Sequence, residues 1–360
     1  MEIENYFSAN YQEARSKFLN LAETHHFSIQ SYANKGAQAP DGSGLFMDVA
    51  TLGPADASRL LVLFSGTHGV EGYCGSGIQS ALLGEGFFAE LCVDLQVALV
   101  HAVNPYGFAH DRRVNEDNID LNRNFIDFGN QVPTDNGYGD IHEFLVPNDW
   151  RAREDADKAL AQYAKDRGQA TFQQAASGGQ YTHSNGVFYG GQKPSWSALT
   201  LISLVDALAA NKQQAYFVDF HTGLGPCGFG EMIAAGSPAQ VRRTFEFYGD
   251  YEVTDPDAGT SSSAPVQGTI AHGVERALSN VETYFLALEY GTLSMKEVMT
   301  AVRADNWLYG SGDVSSDLGE QIKRQIRDAF YCDEAEWKSL IYQRALDVLT
   351  TTMRKLDLRH

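Results

Sequence analysis

The chain has 360 residues, with 27 Lys plus Arg against 46 Asp plus Glu, a net charge of −19 with His neutral. No surplus of cations exists to displace phosphate counterions or to meet an anionic bilayer, so nucleic acid and membrane surfaces are excluded as partners on electrostatic grounds. With 43% hydrophobic, 11% aromatic and only 20% charged residues, the composition is that of a folded chain with a sizeable core, which excludes wholesale disorder.

Apolar positions three and four apart predict a helix over 7–25. The run Leu60-Leu61-Val62-Leu63-Phe64 predicts a buried strand, 75–91 a second helix, and Leu95 to Val100 a second strand. From 129 to 194 the chain is least regular, with Pro133, Gly137, Gly139, Pro147 and the Gly-rich run Ser177 to Gly191 around a helical pattern at 154–168. A connection this long is expected to be an embedded subdomain or a lid over the site. A helix at 196–211, a strand from Ala215 to Phe220, helices at 238–249 and 270–280, a strand from Tyr284 to Leu288 and C-terminal helices at 317–357 complete the series. This alternation predicts one three-layer α/β/α domain over 1–360 with a mostly parallel or mixed central sheet.

Cys74, Cys92, Cys227 and Cys332 form no C-x-x-C pair and read as reduced thiols, not as a disulfide framework or a zinc knuckle. The N-terminus carries no basic segment followed by an apolar one, and no run reaches about 18 apolar residues, so a cytoplasmic location is expected.

Each predicted strand runs into a polar cluster: Ser65 to Gly72, Asn104 to Gly107, Asp219 to Gly223 and Glu289 to Thr292. In open α/β sheets ligands bind beyond the carboxyl ends of the strands, so the four clusters are expected to converge. His68 and Glu71 share a Gly-flanked turn, and His221 offers a second imidazole from another strand end. Two His and one carboxylate form the ligand set of an open catalytic zinc site. Taken singly, H-x-x-E is equally a turn with a hydrogen-bonded His, and His221 equally an imidazole satisfied by a backbone carbonyl. Asp219, two residues before His221, either accepts its second ring N–H or caps the strand end. Glu289, closing an apolar run, needs a partner or a role.

The stretch from Asn104-Pro105-Tyr106-Gly107 through Arg113 to Asp120-Leu121-Asn122-Arg123-Asn124-Phe125 is the most specific feature. With the H-x-x-E turn before it, and a His and a strand-borne Glu after it, the chain resembles the zinc carboxypeptidase superfamily from about Leu60 to Thr292. That superfamily includes carboxypeptidase A-like enzymes and the succinylglutamate desuccinylase/aspartoacylase group. The Gly-Gln-Tyr-Thr-His and Gly-Val-Phe-Tyr-Gly-Gly segments match neither pattern and suggest a separate branch.

The resemblance implies that His68, Glu71 and His221 bind one zinc ion, that Glu289 is the general base and acid, and that Arg113 stabilises the oxyanion. It implies that Asn122 and Arg123 hold a free substrate carboxylate. The plainer reading of both arginines is salt bridging with Asp111, Glu116, Asp117 or Asp120. Tyr181, His183 and Tyr189 are candidates for the pocket lining, whereas His101, His110 and His142 read as structural. The expected function is a zinc-dependent amide hydrolase, a metallo-carboxypeptidase on peptides or small carboxylate-bearing amides. The alternatives are an N-acyl amino acid deacylase with the same metal site and a catalytically silent binding module. No G-x-S-x-G elbow is present, which excludes a serine hydrolase of that type.

Overall fold

The computed structural model describes residues 2–91, 94–130, 132–134, 136–249 and 251–357; Cys92 lies outside them. The four apolar runs form the centre of an eight-stranded sheet. The strands are β1 (Ser28–Gln38), β2 (Gly44–Leu52), β3 (Arg59–Phe64), β4 (Leu95–His101), β5 (Gln214–Cys227), β6 (Gly230–Ala234), β7 (Val253–Thr254) and β8 (Glu282–Gly291). Their order is β1-β2-β4-β3-β5-β8-β6-β7. β4, β3, β5 and β8 run parallel, while β2 pairs antiparallel with β4 and β6 antiparallel with β8. The sheet is mixed, as expected.

Alternation along the parallel strands feeds two cores. Leu61, Leu63, Val218, Phe220, Leu286 and Leu288 face one layer, which includes Phe18, Ile78, Phe247, Ile326 and Val348 from five helices. Leu60, Val62, Phe64, Phe217 and Phe285 face the other, with Leu201, Val205 and Val274 from the helices Trp196–Ala209 and Ile270–Ala277. Strands buried on both faces read as continuous apolar runs, which is why these four stood out in the sequence.

Several boundaries differ from the sequence expectation. The first helix is Tyr11–Thr24, because the Asn10 side chain caps it by accepting from the Glu13 N–H. The second stops at Gly84, seven residues short, and the helix Ile270–Ala277 ends three residues early. The C-terminal segment is two helices, Asp317–Phe330 and Ala335–Asp357. The region 129–194 is more regular than expected, with helices Tyr138–Leu145, Glu154–Arg167 and Gln169–Ser177. The helix Met295–Ser311 was not expected; its buried face includes Arg303, Asp305 and Asn306, which erases the apolar period. None of the described helices is long and apolar enough to cross a membrane.

From β3 the chain passes through the helix Gly72–Gly84 to β4 on one side, and β5 then joins β3 on the other. The order therefore reverses at β3, and the crevice at the carboxyl ends of β3 and β5 is where such a sheet binds ligands.

Candidate metal centre

A glycine in the turn that leaves β3 meets a glycine in the turn that leaves β4. A Cβ on Gly69 would lie 2.0 Å from the carbonyl carbon of Gly107, so the His68–Glu71 turn and the Asn104–Gly107 turn touch backbone to backbone. Asn104 shapes its own turn by accepting the Gly107 N–H at 2.9 Å. The two are laced together by Gly69 N–H to Arg113 O at 3.1 Å and Val70 N–H to Arg112 O at 2.8 Å. The Asn-Pro-Tyr-Gly motif thus acts as a support for the His68 turn.

His68, Glu71 and His221 meet in the switch-point crevice, each with a ligating atom within 4.8 Å of the others, and all three are buried. Glu71 stands between the imidazoles: Oε1 is 2.8 Å from His68 Nδ1 and Oε2 is 2.9 Å from His221 Nδ1. The outer nitrogens meet carboxylates, His221 Nε2 with Asp219 Oδ2 at 2.8 Å and His68 Nε2 with Asp120 Oδ1 at 3.3 Å. Such outer acceptors fix the ring orientation of metal-binding His residues. Of the two readings open for Asp219, the structure shows the contact with His221, and its other oxygen accepts from Thr67 Oγ1 at 2.8 Å.

Glu289 lies directly opposite His221 in the β5–β8 register. It is 8% exposed, and its Oε1 accepts the Leu224 N–H at 3.0 Å. Burial, and then the nearby Glu71 charge, push its carboxyl up to about 8. Glu71 goes the other way: burial would raise it, but His68 and His221 outweigh burial and hold it well below the usual range. Asp219 likewise outweighs burial at His221 and holds that imidazole well above its ordinary value.

Arg113 is turned onto the triad. Its Nε donates to Asp120 Oδ2 at 3.0 Å and Nη1 to Glu71 Oε1 at 2.9 Å, while Nη2 lies 2.8 Å from His68 Nε2. Of the carboxylates expected from the sequence, Asp120 is therefore its partner, in a buried pair and not a surface one. The adjacent Arg112 points elsewhere, to Asp305 at 2.9 Å. Arg123 is buried and donates to two backbone carbonyls, Asn122 O at 3.0 Å and Ser177 O at 2.6 Å. Its buried Nε has no partner, Asp120 is 4.0 Å away, and desolvation lowers its pKa. The Asn122 side chain is already engaged, its Oδ1 accepting the Ile270 N–H at 3.0 Å.

The insert packs over these arginines. Tyr181 donates to Arg123 O at 2.6 Å, and Tyr189 O accepts the Asp120 N–H at 2.8 Å. The Phe188 ring lies 5.5 Å from the Arg113 guanidinium and 5.6 Å from that of Arg123, with a left-handed backbone at φ 52° that is costly for a bulky residue. His183 pairs instead with His142, ring centroids 4.2 Å apart. His101 is buried beneath Phe18 and bonded to Ser76, and His110 contacts Gln38 O. Asp120 and Phe188 were missed as site residues in the sequence, although Asp120 sits inside the D-L-N-R-N-F motif, whose spacing points to it.

Two imidazoles and a carboxylate converging in one buried crevice, with carboxylates behind both imidazoles, are a donor set suited to a divalent cation.

The family described as "Protein of unknown function (DUF2817)" matches residues 7–344. The chain belongs to that family. A search of the curated proteins gave no match. Among solved structures, this DUF2817 chain is similar to a carboxypeptidase A from Helicoverpa armigera, at 12% identity and a TM-score of 0.49, covering 90% of this chain and 74% of that one. It is also similar to a succinylglutamate desuccinylase from Chromobacterium violaceum, at 14% identity and a TM-score of 0.38, covering 86% and 72%. A metallo-carboxypeptidase from Burkholderia cenocepacia matches at 15% identity and a TM-score of 0.38, over 95% and 71%. The two groups that the sequence resembles are thus both among its structural neighbours.

Proposed function

We propose that the chain is a zinc-dependent hydrolase of amide bonds, acting as a carboxypeptidase on peptides or on small carboxylate-bearing amides. The observation that carries this reading is the placement of Glu289 in register with His221, beside a buried His–Glu–His set. His68 and His221 would hold zinc through Nδ1, with Glu71 as the third ligand and Asp120 and Asp219 as outer acceptors. Zinc bound there supplies a Lewis acid and lowers the pKa of a coordinated water towards about 7.

The protein side of the chemistry follows from the residues. Glu289, in register with His221 beside the metal ligands, takes a proton from the attacking water and returns it to the leaving amine nitrogen as the C–N bond breaks. Leu224 N–H keeps one of its oxygens in place. Arg113, within reach of the triad, is the cation available to a developing oxyanion. Arg123, with an unpartnered buried Nε, is the anchor for a substrate carboxylate. Asn122 contributes through its amide N–H, since its oxygen belongs to Ile270.

The packing of Tyr181 and Phe188 against the two arginines favours a second reading within the same chemistry, deacylation of small N-acyl amino acids, because a closed pocket admits small substrates better than long peptides. Both are tested by metal analysis of protein never exposed to chelator, followed by an amide panel on wild type and Glu289→Gln. Stoichiometric zinc, with turnover at least about a hundredfold lower in the variant at unchanged zinc content, is the expected result. Absence of any divalent metal together with no activation by added zinc would overturn it.

A further inference from the structure

The cross-strand row that contains His221 and Glu289 has a third member. β6 pairs with β8 so that Glu231 stands opposite Glu289, just as His221 does on the other side. Residues directly opposite one another present their side chains to the same face of the sheet. Glu231 is therefore on the site's face, and it is only 8% exposed.

Its carboxylate is held by uncharged donors. Thr254 Oγ1 donates to Oε1 at 2.6 Å, the Ser262 N–H to Oε1 at 3.1 Å, and the Ser262 hydroxyl to Oε2. Burial alone would raise its pKa, but these serine and threonine donors outweigh it and keep the group ionised. No lysine, arginine or histidine among the described residues forms an ion pair with it. A buried carboxylate is ordinarily neutralised by a cation. This one is kept charged and left without one.

The segment that supplies the donors also leads to Arg123. From Thr254 and Ser262 it continues to Gly268, whose carbonyl accepts the Phe125 N–H at 3.0 Å and where a Cβ would lie 2.7 Å from Arg123 O. One continuous segment, 254–268, thus bonds Glu231 at one end and packs on the Arg123 backbone at the other, the first an anion with no cation partner and the second a cation with a free donor.

We propose that Glu231 is a specificity determinant that receives a positively charged group of the substrate, an ammonium or guanidinium, beside the amide to be cleaved. This rests on the amide-hydrolase reading and narrows its substrates to amides that carry a cationic side chain together with a carboxylate. A charge-assisted hydrogen bond to Glu231 favours such substrates by about tenfold to a hundredfold over neutral isosteres, and an anionic side chain is repelled.

The test is kcat/KM of the full-length zinc-loaded protein for matched substrates whose only difference is a lysine, norleucine or glutamate side chain at the free-carboxylate end. The expected order is lysine, norleucine, glutamate, with the lysine-to-norleucine ratio at ten or more. In Glu231→Gln the ratio falls to near one; in Ser262→Ala, which keeps the charge, it persists. A wild-type ratio near one overturns the proposal, and so does a Glu231→Gln protein in which both substrates fall together at an unchanged ratio, since that is the signature of a loop anchor. Should Glu231→Gln not fold, the wild-type order decides alone. Calorimetry with free lysine and norleucine separates this proposal from the reading beneath it. Tighter lysine binding without turnover of any amide supports the cation subsite while rejecting the hydrolase, and equal or absent binding of both amino acids, without turnover, overturns the subsite.

Discussion

Replacing Asp219 by Asn tests the proposed metal centre through a residue that is not one of its three proposed ligands. Asp219 is 1% exposed and accepts on both oxygens, from Thr67 Oγ1 and from His221 Nε2, each at 2.8 Å. Because a carboxylate can only accept, Asp219 holds a proton of His221 on Nε2, so that Nδ1, 2.9 Å from Glu71, is the nitrogen that gives up its proton when a metal is bound. An Asn side chain has one acceptor and one donor end. With its oxygen towards His221 the tautomer survives but the charge on the acceptor is lost. With its NH₂ towards His221 the imidazole proton is driven to Nδ1, which then cannot ligate. Loss of such an outer partner costs about tenfold to a hundredfold in metal affinity, or about 1.4–2.7 kcal/mol. Competition with a chromogenic chelator at pH 7.5 reads this directly and needs no substrate. Thr67→Ala removes the other partner without touching the tautomer and is expected to cost less than Asp219→Asn. An Asp219→Asn protein that holds zinc within twofold of wild type would refute the argument, as would equal losses in the two variants.

Gly69→Ala forces a Cβ to within 2.0 Å of the Gly107 backbone, so it is expected to destabilise the fold by about 3 kcal/mol, the upper end for overpacking, and to release the metal; an unchanged urea midpoint would contradict the close approach. His101, buried with an unpartnered Nδ1, has its pKa driven down to about 4 by desolvation. The unfolded chain therefore binds its proton first, and stability is lost as pH falls from about 6.5 towards 4, by about 3 kcal/mol at about 1.4 kcal/mol per unit. Urea midpoints at pH 7 and pH 4.5 check this, because His101→Gln should lose less stability on acidification than wild type does. Arg123→Ala should remove any preference for free over amidated carboxylates, a preference of about tens to thousands in kcat/KM if the anchor costs 2–5 kcal/mol to leave unpaired; equal rates for the two substrates on wild type would reject the anchor.

The parts of the fold that could be read in the sequence are those where one physical demand dominates. β3, β4, β5 and β8 are covered on both faces, so each is a plain apolar run. β1, Ser28–Gln38, is an edge strand whose residues are mostly exposed, and its sequence Ser-Ile-Gln-Ser-Tyr-Ala-Asn-Lys-Gly-Ala-Gln carries no such signal. The helix Met295–Ser311 was hidden for the opposite reason. It buries Arg303, which donates to the carbonyls of Phe144 and Leu145, and Asp305, which pairs with Arg112 and Lys323. Its inner face satisfies the insert and the Asn104–Arg123 stretch by polar contacts, and an apolar period cannot reveal a face of that kind.

The same distinction explains which members of the site were legible. His221 and Glu289 close the apolar runs of β5 and β8, and His68 and Glu71 lie in the turn that follows β3, so each stands out where an apolar pattern stops. Asp120 and Glu231 matter through what lies opposite them in space. Asp120 reaches His68 only because the Asn104–Gly107 turn folds the chain back against Gly69, and Glu231 joins the row of His221 and Glu289 only through the antiparallel register of a five-residue strand. The consequence for the proposed function is chemical. His68, Glu71, His221 and Glu289 would bind a metal and move a proton whatever the substrate, whereas Arg123, legible in the sequence but shown with its spare donor only by the fold, and Glu231, which appears only with the register, would decide which amide is cleaved.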